Sequence, residues 1–439
     1  MDKEKAKLVI KEFQESESPK DIVKRKIIKI DTNSKSIISV YGPRQSGKTY
    51  YFYQVIDGLV GGGVPKDRIL YVNFEDERLM PFELADFERL LDAYYELYPQ
   101  NKDAEIYLFL DEVQNIEHWE IAVRRIYDKE RVRLFITGSS SRLLSKEIAT
   151  SLRGRTLSYE MLPFSFEEVL LAKGIEITKD IQYSKLRFQI KSALEGYLKF
   201  GGFPRVVLER VEITRIRLLQ EYLNTLLARD ISERFAIRNQ ALIKDIIRFS
   251  LSNVARLLSI SSLYKTYKQK QGITKRTVMN YVRILQEVML LFLIPKFSRS
   301  PKEQIRNPDK EYLVDNGLRT AAGFYLSDDL GRTMENAVFL KLKESRINDP
   351  LLEIFYWNDR KSEVDFVLRG GTKVKALIQV TYVSSKEELN SREIAGILSA
   401  SKEFKCDNLL IITWDYEAEE KTEGKTIKFV PLWKWLLNL

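Results

Sequence analysis

The chain is 439 residues long, 44% hydrophobic and 30% charged, with a formal net charge of +9; it has room for two to four domains with real cores. A single cysteine, Cys406, and a single histidine, His118, exclude an intrachain disulfide, a multi-cysteine zinc site, serine–histidine triads and multi-histidine metal centres, leaving carboxylate, lysine, arginine and backbone chemistry. No apolar run reaches the about 18–20 residues that cross a bilayer, and the charged, amphipathic start has no secretory core, so a cytoplasmic protein with no membrane partner is expected; the diffuse positive charge permits nucleic-acid binding without demanding it.

Residues 2–29 read as one or two amphipathic helices broken at Pro19, with a basic cluster at Lys24, Arg25 and Lys26. A strand over Ser36–Tyr41 follows, then a glycine-bearing loop, a helix, and further short apolar strands at Arg68–Phe74, Ile106–Leu110 and Val132–Ile136. Short, near-continuous apolar strands alternating with helices predict a parallel sheet covered on both faces. Beyond Pro163 the pattern turns helical to about residue 300, interrupted by Gly201-Gly202-Phe203-Pro204. From about residue 309 it is mixed, with strands expected at Glu311–Val314, Ile354–Trp357, Val364–Leu368, Ala376–Val380 and Leu409–Thr413.

The loop after the first strand carries the chemistry. Gly42, Pro43, Arg44, Gln45, Ser46, Gly47, Lys48 and Thr49 complete the pattern G-x-x-x-x-G-K-[ST] between an apolar strand and a helix, with Tyr50 next in line. The glycines let backbone N–H groups wrap phosphate oxygens, and the helix adds its positive N-terminal end. Lys48 reaches the β- and γ-phosphates and the Thr49 hydroxyl ligates Mg²⁺. Downstream, Ile106–Leu110 runs into Asp111 and Glu112. Asp111 suits the metal shell with Thr49, and Glu112 suits orienting or deprotonating an attacking water. The expected ligands are therefore ATP or ADP with Mg²⁺. The strand 132–136 ends in Thr137, Ser139, Ser140 and Ser141, of which Ser139 stands as a γ-phosphate or water contact beside the alternative of a serine-rich helix cap. Arg153 and Arg155 are candidates to neutralise transition-state charge, in their own subunit or a neighbour's, beside the reading as surface arginines.

With these residues the chain resembles a prokaryotic family of AAA-type ATPases related to the archaeal and signal-transducing (STAND) ATPases. The matching segments are Tyr41–Thr49, Leu110–Gln114, Ile136–Leu144, Leu152–Arg155, Leu162–Glu168 and Gly201–Pro204, and Glu363–Leu368 is similar to the family's restriction-endonuclease-like domain. The fold that the resemblance implies is α/β: a P-loop NTPase core with a parallel sheet, a helical lid, a winged helix and a C-terminal α/β restriction-endonuclease-like domain. The expected boundaries are a helical arm at 1–30, the ATPase core at 31–163, the lid at 164–240, the winged helix at 241–300 and the nuclease-like domain at 301–439. The resemblance also implies that Pro204 lies near the nucleotide base; the alternative is a plain helix-breaking turn.

Within the winged-helix candidate, Thr274 is placed to cap a helix from Lys275 to about Val288. Val278, Tyr281, Val282, Leu285 and Val288 fall on one face, with Lys275, Arg276, Asn280 and Arg283 elsewhere. Such a helix can enter a major groove, making double-stranded or branched DNA a candidate partner, or it can serve as an interaction or lid module. In the nuclease-like domain, Asp365 ends one strand, Gln379 and Thr381 occupy the matching place on the next, and Glu335 is a further acid. Gln379 has no charge and Thr381 is no substitute for a lysine, so a degenerate site is expected, with Lys373 or Lys375 as the cations best placed to rescue it. Two functions follow: an ATP-driven switch or motor on nucleic acid, in a ring or dimer, or a signalling or defence ATPase whose output is a protein interaction. An ATP-dependent nuclease is the third.

Overall fold

The short apolar runs of the N-terminal part assemble into one five-stranded sheet. The structure, a computed structural model, describes residues 1–26, 28–139, 152, 154–177, 186–269, 272–324, 330–359 and 362–439, and it divides into two units, Met1–Leu162 and Pro163–Leu439.

In the first unit, helix α1 (Lys3–Glu15) is capped by Asp2, which accepts from the Glu4 N–H. It buries Ala6, Val9, Ile10 and Phe13, the Phe13 ring lying 5.4 Å from that of Tyr71. The strands are β1 (Ile37–Tyr41), β2 (Ile69–Asn73), β3 (Ile106–Asp111), β4 (Val132–Gly138) and β5 (Thr156–Glu160), with α2 (Lys48–Gly61), α3 (Asp86–Leu97) and α4 (Trp119–Lys129) between them. Their order is β2-β3-β4-β1-β5 and every pairing is parallel. All five residues of β1 are buried, as a strand covered on both faces requires. Val40 pairs with Thr137, Tyr41 with Gly138 and Asn73 with Asp111. The register thus gathers the carboxyl ends of β1, β3 and β4 at one edge, where open α/β sheets bind ligands.

The second unit begins with helices. Ser165 and Glu168 form a reciprocal capping box that starts Phe166–Ala172. Leu186–Phe200, Pro204–Leu208, Glu212–Thr225 and Gln240–Ser252 follow, the third continuing into a π-helical turn at Leu226–Glu233. Next comes a small antiparallel sheet, β6 (Arg256–Leu258), β7 (Leu291–Ile294) and β8 (Asp309–Leu313), in the order β6-β8-β7, with helices Ile260–Tyr267 and Lys275–Glu287 between its first two strands. The strand expected near residues 311–314 is therefore the centre of this sheet. The remaining strands, β9 (Leu352–Asn358), β10 (Glu363–Gly370), β11 (Lys373–Val380), β12 (Leu409–Thr413), β13 (Ala418–Thr422) and β14 (Lys425–Pro431), make a mixed sheet ordered β13-β14-β12-β11-β10-β9. Its core includes Phe297, Phe355, Trp357, Val367, Leu377, Ile411 and Phe429.

Strand β8 turns two neighbouring charges to opposite faces, as strand alternation demands. Lys310 meets carboxylates. Glu311, 1% exposed, has no ion pair among the described residues. Burial pushes its carboxyl up from 4.5 to about 8, with the Ser250 hydroxyl pulling it part of the way back. A carboxyl whose folded value lies above its unfolded one stabilises fully below pH about 4.5 and loses that contribution as pH rises through about 8. Glu311→Gln should therefore unfold at a temperature higher than the parent by about 2 °C or more at pH 8.5, with the two curves converging near pH 4.5. Thermal unfolding followed by circular dichroism across this range checks it; a gap independent of pH would show that Glu311 does not titrate there.

Candidate nucleotide-binding site

Gly42 closes β1 and begins the loop. A Cβ there would sit 2.0 Å from the Met161 carbonyl oxygen, so no larger residue fits. Gln45 and Gly47 take left-handed φ values of 66° and 93°, which curl the loop into the start of α2. Lys48 is buried, its Nζ donating to the Gly42 and Pro43 carbonyls at 3.3 and 3.2 Å and lying 3.3 Å from Glu112 Oε1. Arg44 pairs with Glu75 at 2.7 Å, and Tyr50 is exposed on α2.

Asp111 is fully buried at the end of β3 and accepts three hydroxyl groups. Thr49 donates to Oδ2 at 2.7 Å and Tyr71 to the same oxygen at 2.9 Å, while Thr137 donates to Oδ1. The Thr137 oxygen in turn accepts the Glu112 N–H at 2.9 Å. Burial and the charge of Glu112 raise the Asp111 carboxyl, and the three hydroxyls oppose that rise. For Glu112 burial also pushes upward, but the Lys48 charge, the Gln114 amide and Arg44 outweigh it and hold the carboxyl below its ordinary value. Gln114 Nε2 donates to Glu112 Oε2 at 2.5 Å and to Ser139 Oγ at 3.2 Å. Thus β1, β3 and β4 bring together the phosphate loop, both carboxylates and Ser139, as their spacing predicts. The sequence reading did not single out Tyr71 or Gln114: Tyr71 looks like any strand aromatic, and only its place opposite Phe109 in the register would have flagged it. Thr49 and Asp111 are hard oxygen donors within hydrogen-bond distance of one another, a donor set that fits Mg²⁺. An ion held there would neutralise phosphate charge.

The arginines divide. Arg153 lies outside the described residues, as do Ser140 and Ser141. Arg155 precedes β5 and pairs with Asp128 at 3.0 Å. Because β5 runs parallel to β1, Arg155 sits at the amino ends of the strands, away from the phosphate loop by a strand of five residues, about 16 Å. This placement speaks against a role for Arg155 in the site of its own subunit, and it leaves both the neighbour's-subunit role and the plain surface arginine paired with Asp128.

In the second unit, Gly201 has φ 74° and a Cβ there would strike Asp315 Oδ1 at 1.7 Å; one at Gly202 would meet the Phe164 carbonyl oxygen at 2.2 Å. The Gly202 and Gly317 N–H groups donate to the buried Asp315 carboxylate at 2.6 and 2.7 Å, and burial lifts that carboxyl to about 7 despite them. Pro204 opens the first turn of Pro204–Leu208, where its missing N–H costs nothing. On helix Lys275–Glu287, Thr274 caps the Thr277 N–H at 3.1 Å, the apolar face is buried, and Lys275, Arg276, Asn280 and Arg283 are exposed.

Glu335, Asp365 and Gln379 also converge. Gln379 Oε1 accepts the Asp365 N–H at 3.2 Å, and Asp365 Oδ2 accepts the Val380 N–H at 2.9 Å. The cation expected to be missing is present: Lys310 Nζ lies 2.6 Å from Glu335 Oε1 and 2.7 Å from Asp365 Oδ1. Tyr312 donates to Glu335 at 2.6 Å. Burial and the Asp365 charge raise the Glu335 carboxyl, and Lys310 opposes that rise. The proposed rescuers do not serve: Lys375 pairs with Asp349 at 2.7 Å and Lys373 is exposed. A cavity of about 530 Å³ adjoins the cluster, lined by Lys310, Glu335 and Asp365 with Arg256, Arg332 and Trp357. No group of three or more His, Cys, Asp or Glu side chains among the described residues is placed to hold a metal.

A complete phosphate loop on a parallel sheet, facing a buried Asp-Glu pair, defines a P-loop ATPase. The AAA domain family matches residues 34–170, and two domains of unknown function, DUF8612 and DUF4143, match 191–331 and 330–435. The chain belongs to the same family as an uncharacterized protein of Methanocaldococcus jannaschii, 36% identical over 94% of this chain and 92% of that one, and its residues 34–170 match the AAA domain. An uncharacterized protein of Haemophilus influenzae is 28% identical over 93% and 95%. Among solved structures, a Walker-type ATPase of Pyrococcus abyssi is similar over 73% of this chain and 95% of that one at 14% identity, with a TM-score of 0.41. The Aeropyrum pernix ORC1 protein in complex with DNA covers 73% and 91% at 15% identity and 0.29. Family membership supports ATP binding and hydrolysis, and no described helix is long and apolar enough to cross a membrane.

Glu112→Gln keeps the shape of the side chain and its contact with Lys48 while removing its charge. Equilibrium binding of ATP should stay within a few-fold of the parent and steady-state hydrolysis should fall about 10²-fold or more. Loss of ATP binding in a folded variant would make Glu112 a structural residue instead.

Proposed function

We propose that the protein is a Mg²⁺-dependent ATPase whose nucleotide cycle drives a switch or motor acting on nucleic acid. The observation that carries the reading is the engagement of the loop by its carboxylates, Thr49 with Asp111 at 2.7 Å and Lys48 with Glu112 at 3.3 Å. Lys48 gives up its loop carbonyls and Glu112 for phosphate oxygens, which frees Glu112 to receive a proton from water. We take Ile260–Tyr267 and Lys275–Glu287, with the sheet β6-β8-β7, as a winged helix, and its exposed Lys275, Arg276, Asn280 and Arg283 as the nucleic-acid face. Pro204 near the base, Ser139 near the γ-phosphate, and Arg153 or Arg155 reaching a neighbour in a homo-oligomer belong to the same proposal. The alternative is a STAND-like signalling ATPase with a protein partner; tightly retained ADP and hydrolysis indifferent to DNA would select it.

Lys275, Arg276 and Arg283 replaced together by Glu should weaken duplex binding strongly and make the salt dependence of the remainder shallower by roughly one phosphate contact per charge. DNA titrations at several salt concentrations read both, and unchanged affinity and slope would remove DNA from this face.

We further infer that the sheet β9 to β14 is a restriction-endonuclease-like module that docks without cutting. Lys310 stands between Glu335 and Asp365 where a hydrolytic metal would need both oxygens. Linear, supercoiled and branched DNA should survive incubation with the protein, Mg²⁺ or Mn²⁺ and ATP; metal-dependent cutting that disappears in Asp365→Ala would overturn the inference.

A further inference from the structure

Arg25 comes from the segment that precedes the sheet, and its place in a basic cluster marks it as a solvated charge. It is buried, 7% exposed. Gln54 on α2 holds its backbone from both sides, accepting the Arg25 N–H at 2.8 Å and donating to its carbonyl at 3.1 Å. The guanidinium then forks: NH1 donates to the Ser46 carbonyl at 3.0 Å and NH2 to the Leu162 carbonyl at 2.8 Å. One planar group thus holds the phosphate loop and the last residue of the first unit together.

The Ser46 contact has a consequence for the loop. A trans peptide is planar and its C=O and N–H point in opposite directions. With the Ser46 carbonyl drawn to Arg25, the Gly47 N–H is aimed away from it. That N–H donates to no backbone carbonyl among the described residues. Beside it the buried Ser46 hydroxyl also lacks a hydrogen-bond partner there. The Gly47 N–H is one of the free donors of a helix N-terminus; a buried donor such as the Ser46 hydroxyl is rarely left unpaired, and successive backbone N–H groups in such a loop form an anion nest.

We propose that Arg25 is a positioning residue of the nucleotide site: by holding the Ser46 carbonyl outward it presets the Ser46–Gly47 peptide so that the Gly47 N–H faces the phosphate chain. The inference rests on the nucleotide reading of this loop. Arg25 itself does not touch the nucleotide. Without it the carbonyl loses its donor, the peptide is free to rotate, and an inward-turned carbonyl would repel the phosphates that the N–H attracts. Lysine is a poor replacement, because one ammonium lacks the planar fork that spans two carbonyls.

The test compares full-length Arg25→Met and Arg25→Lys with the parent for ADP, ATP and AMP binding in Mg²⁺, using competition against a fluorescent ADP analogue, with unfolding temperatures measured without nucleotide. For Arg25→Met, ADP and ATP affinities should fall about 10–100-fold, as expected for a bond to a charged donor, and AMP affinity should change far less. Arg25→Lys should fall between. A merely structural arginine would lower the unfolding temperature and leave the ADP-to-AMP ratio unchanged, and that result overturns the proposal. So does Arg25→Met binding ADP within about 2-fold of the parent. Should Arg25→Met fail to fold, the ADP-to-AMP ratio of Arg25→Lys decides in the same way. A parent protein that binds none of the three would sink the nucleotide reading itself, and is recognised because the failure precedes any substitution.

Discussion

The first unit is organised around one fully buried carboxylate. Asp111 has no solvent to share its charge, and the adjacent Glu112 charge has the same sign. It is tolerated because three hydroxyls from three elements converge on it: Tyr71 from β2, Thr137 from β4 and Thr49 from α2. Those donors can meet only if β2, β3, β4 and the loop after β1 end at one level, which parallel pairing in the order β2-β3-β4-β1 secures. The demand of a buried charge for partners therefore sets the register as much as hydrophobic burial does, since apolar side chains alone tolerate a slip that a carboxylate would not.

How much of this was legible varies with the reach of the interaction. The phosphate loop, the Asp-Glu strand end and the Thr274 cap are local patterns whose residues serve within a few positions of each other, and each stands where its spacing places it. Lys310 was not legible, because spacing along β10 and β11 directs the search for a cation to those strands and their hairpin. The lysine arrives from the centre of another sheet, 55 residues before Asp365. Strands β13 and β14 also escaped the sequence reading. The edge strand β13 is mostly Glu, Lys and Thr, charged side chains that deter further pairing, β14 beside it interleaves Lys and Thr with the buried Ile427 and Phe429, and the turn between them is marked by Glu423 and Gly424 at positive φ. Arg25 lay hidden for the opposite reason: a Lys-Arg-Lys run reads as a solvated face, although the middle member is inside.

Two of the buried lysines, Lys48 and Lys310, show how the same chemistry serves opposite ends. Lys48 divides itself among three acceptors at 3.2–3.3 Å, two of them neutral carbonyls and one a carboxylate. Each contact is at the long end of a hydrogen bond, and any of them can be exchanged for a phosphate oxygen at little cost. Lys310 has two carboxylates at 2.6 and 2.7 Å, one of them braced by Tyr312 and the other by the Val380 N–H. Charge-assisted bonds of that length in a dry site are strong, and removing one partner of such a set costs about 3–5 kcal/mol because the others are stranded. A ligand must outbid weak contacts at the first lysine and very strong ones at the second. The distances make Lys48 a lysine whose partners exchange readily, and Lys310 a fixed joint between the β6-β8-β7 sheet and the C-terminal one. By that argument the C-terminal module behaves as one body with the small sheet that precedes it.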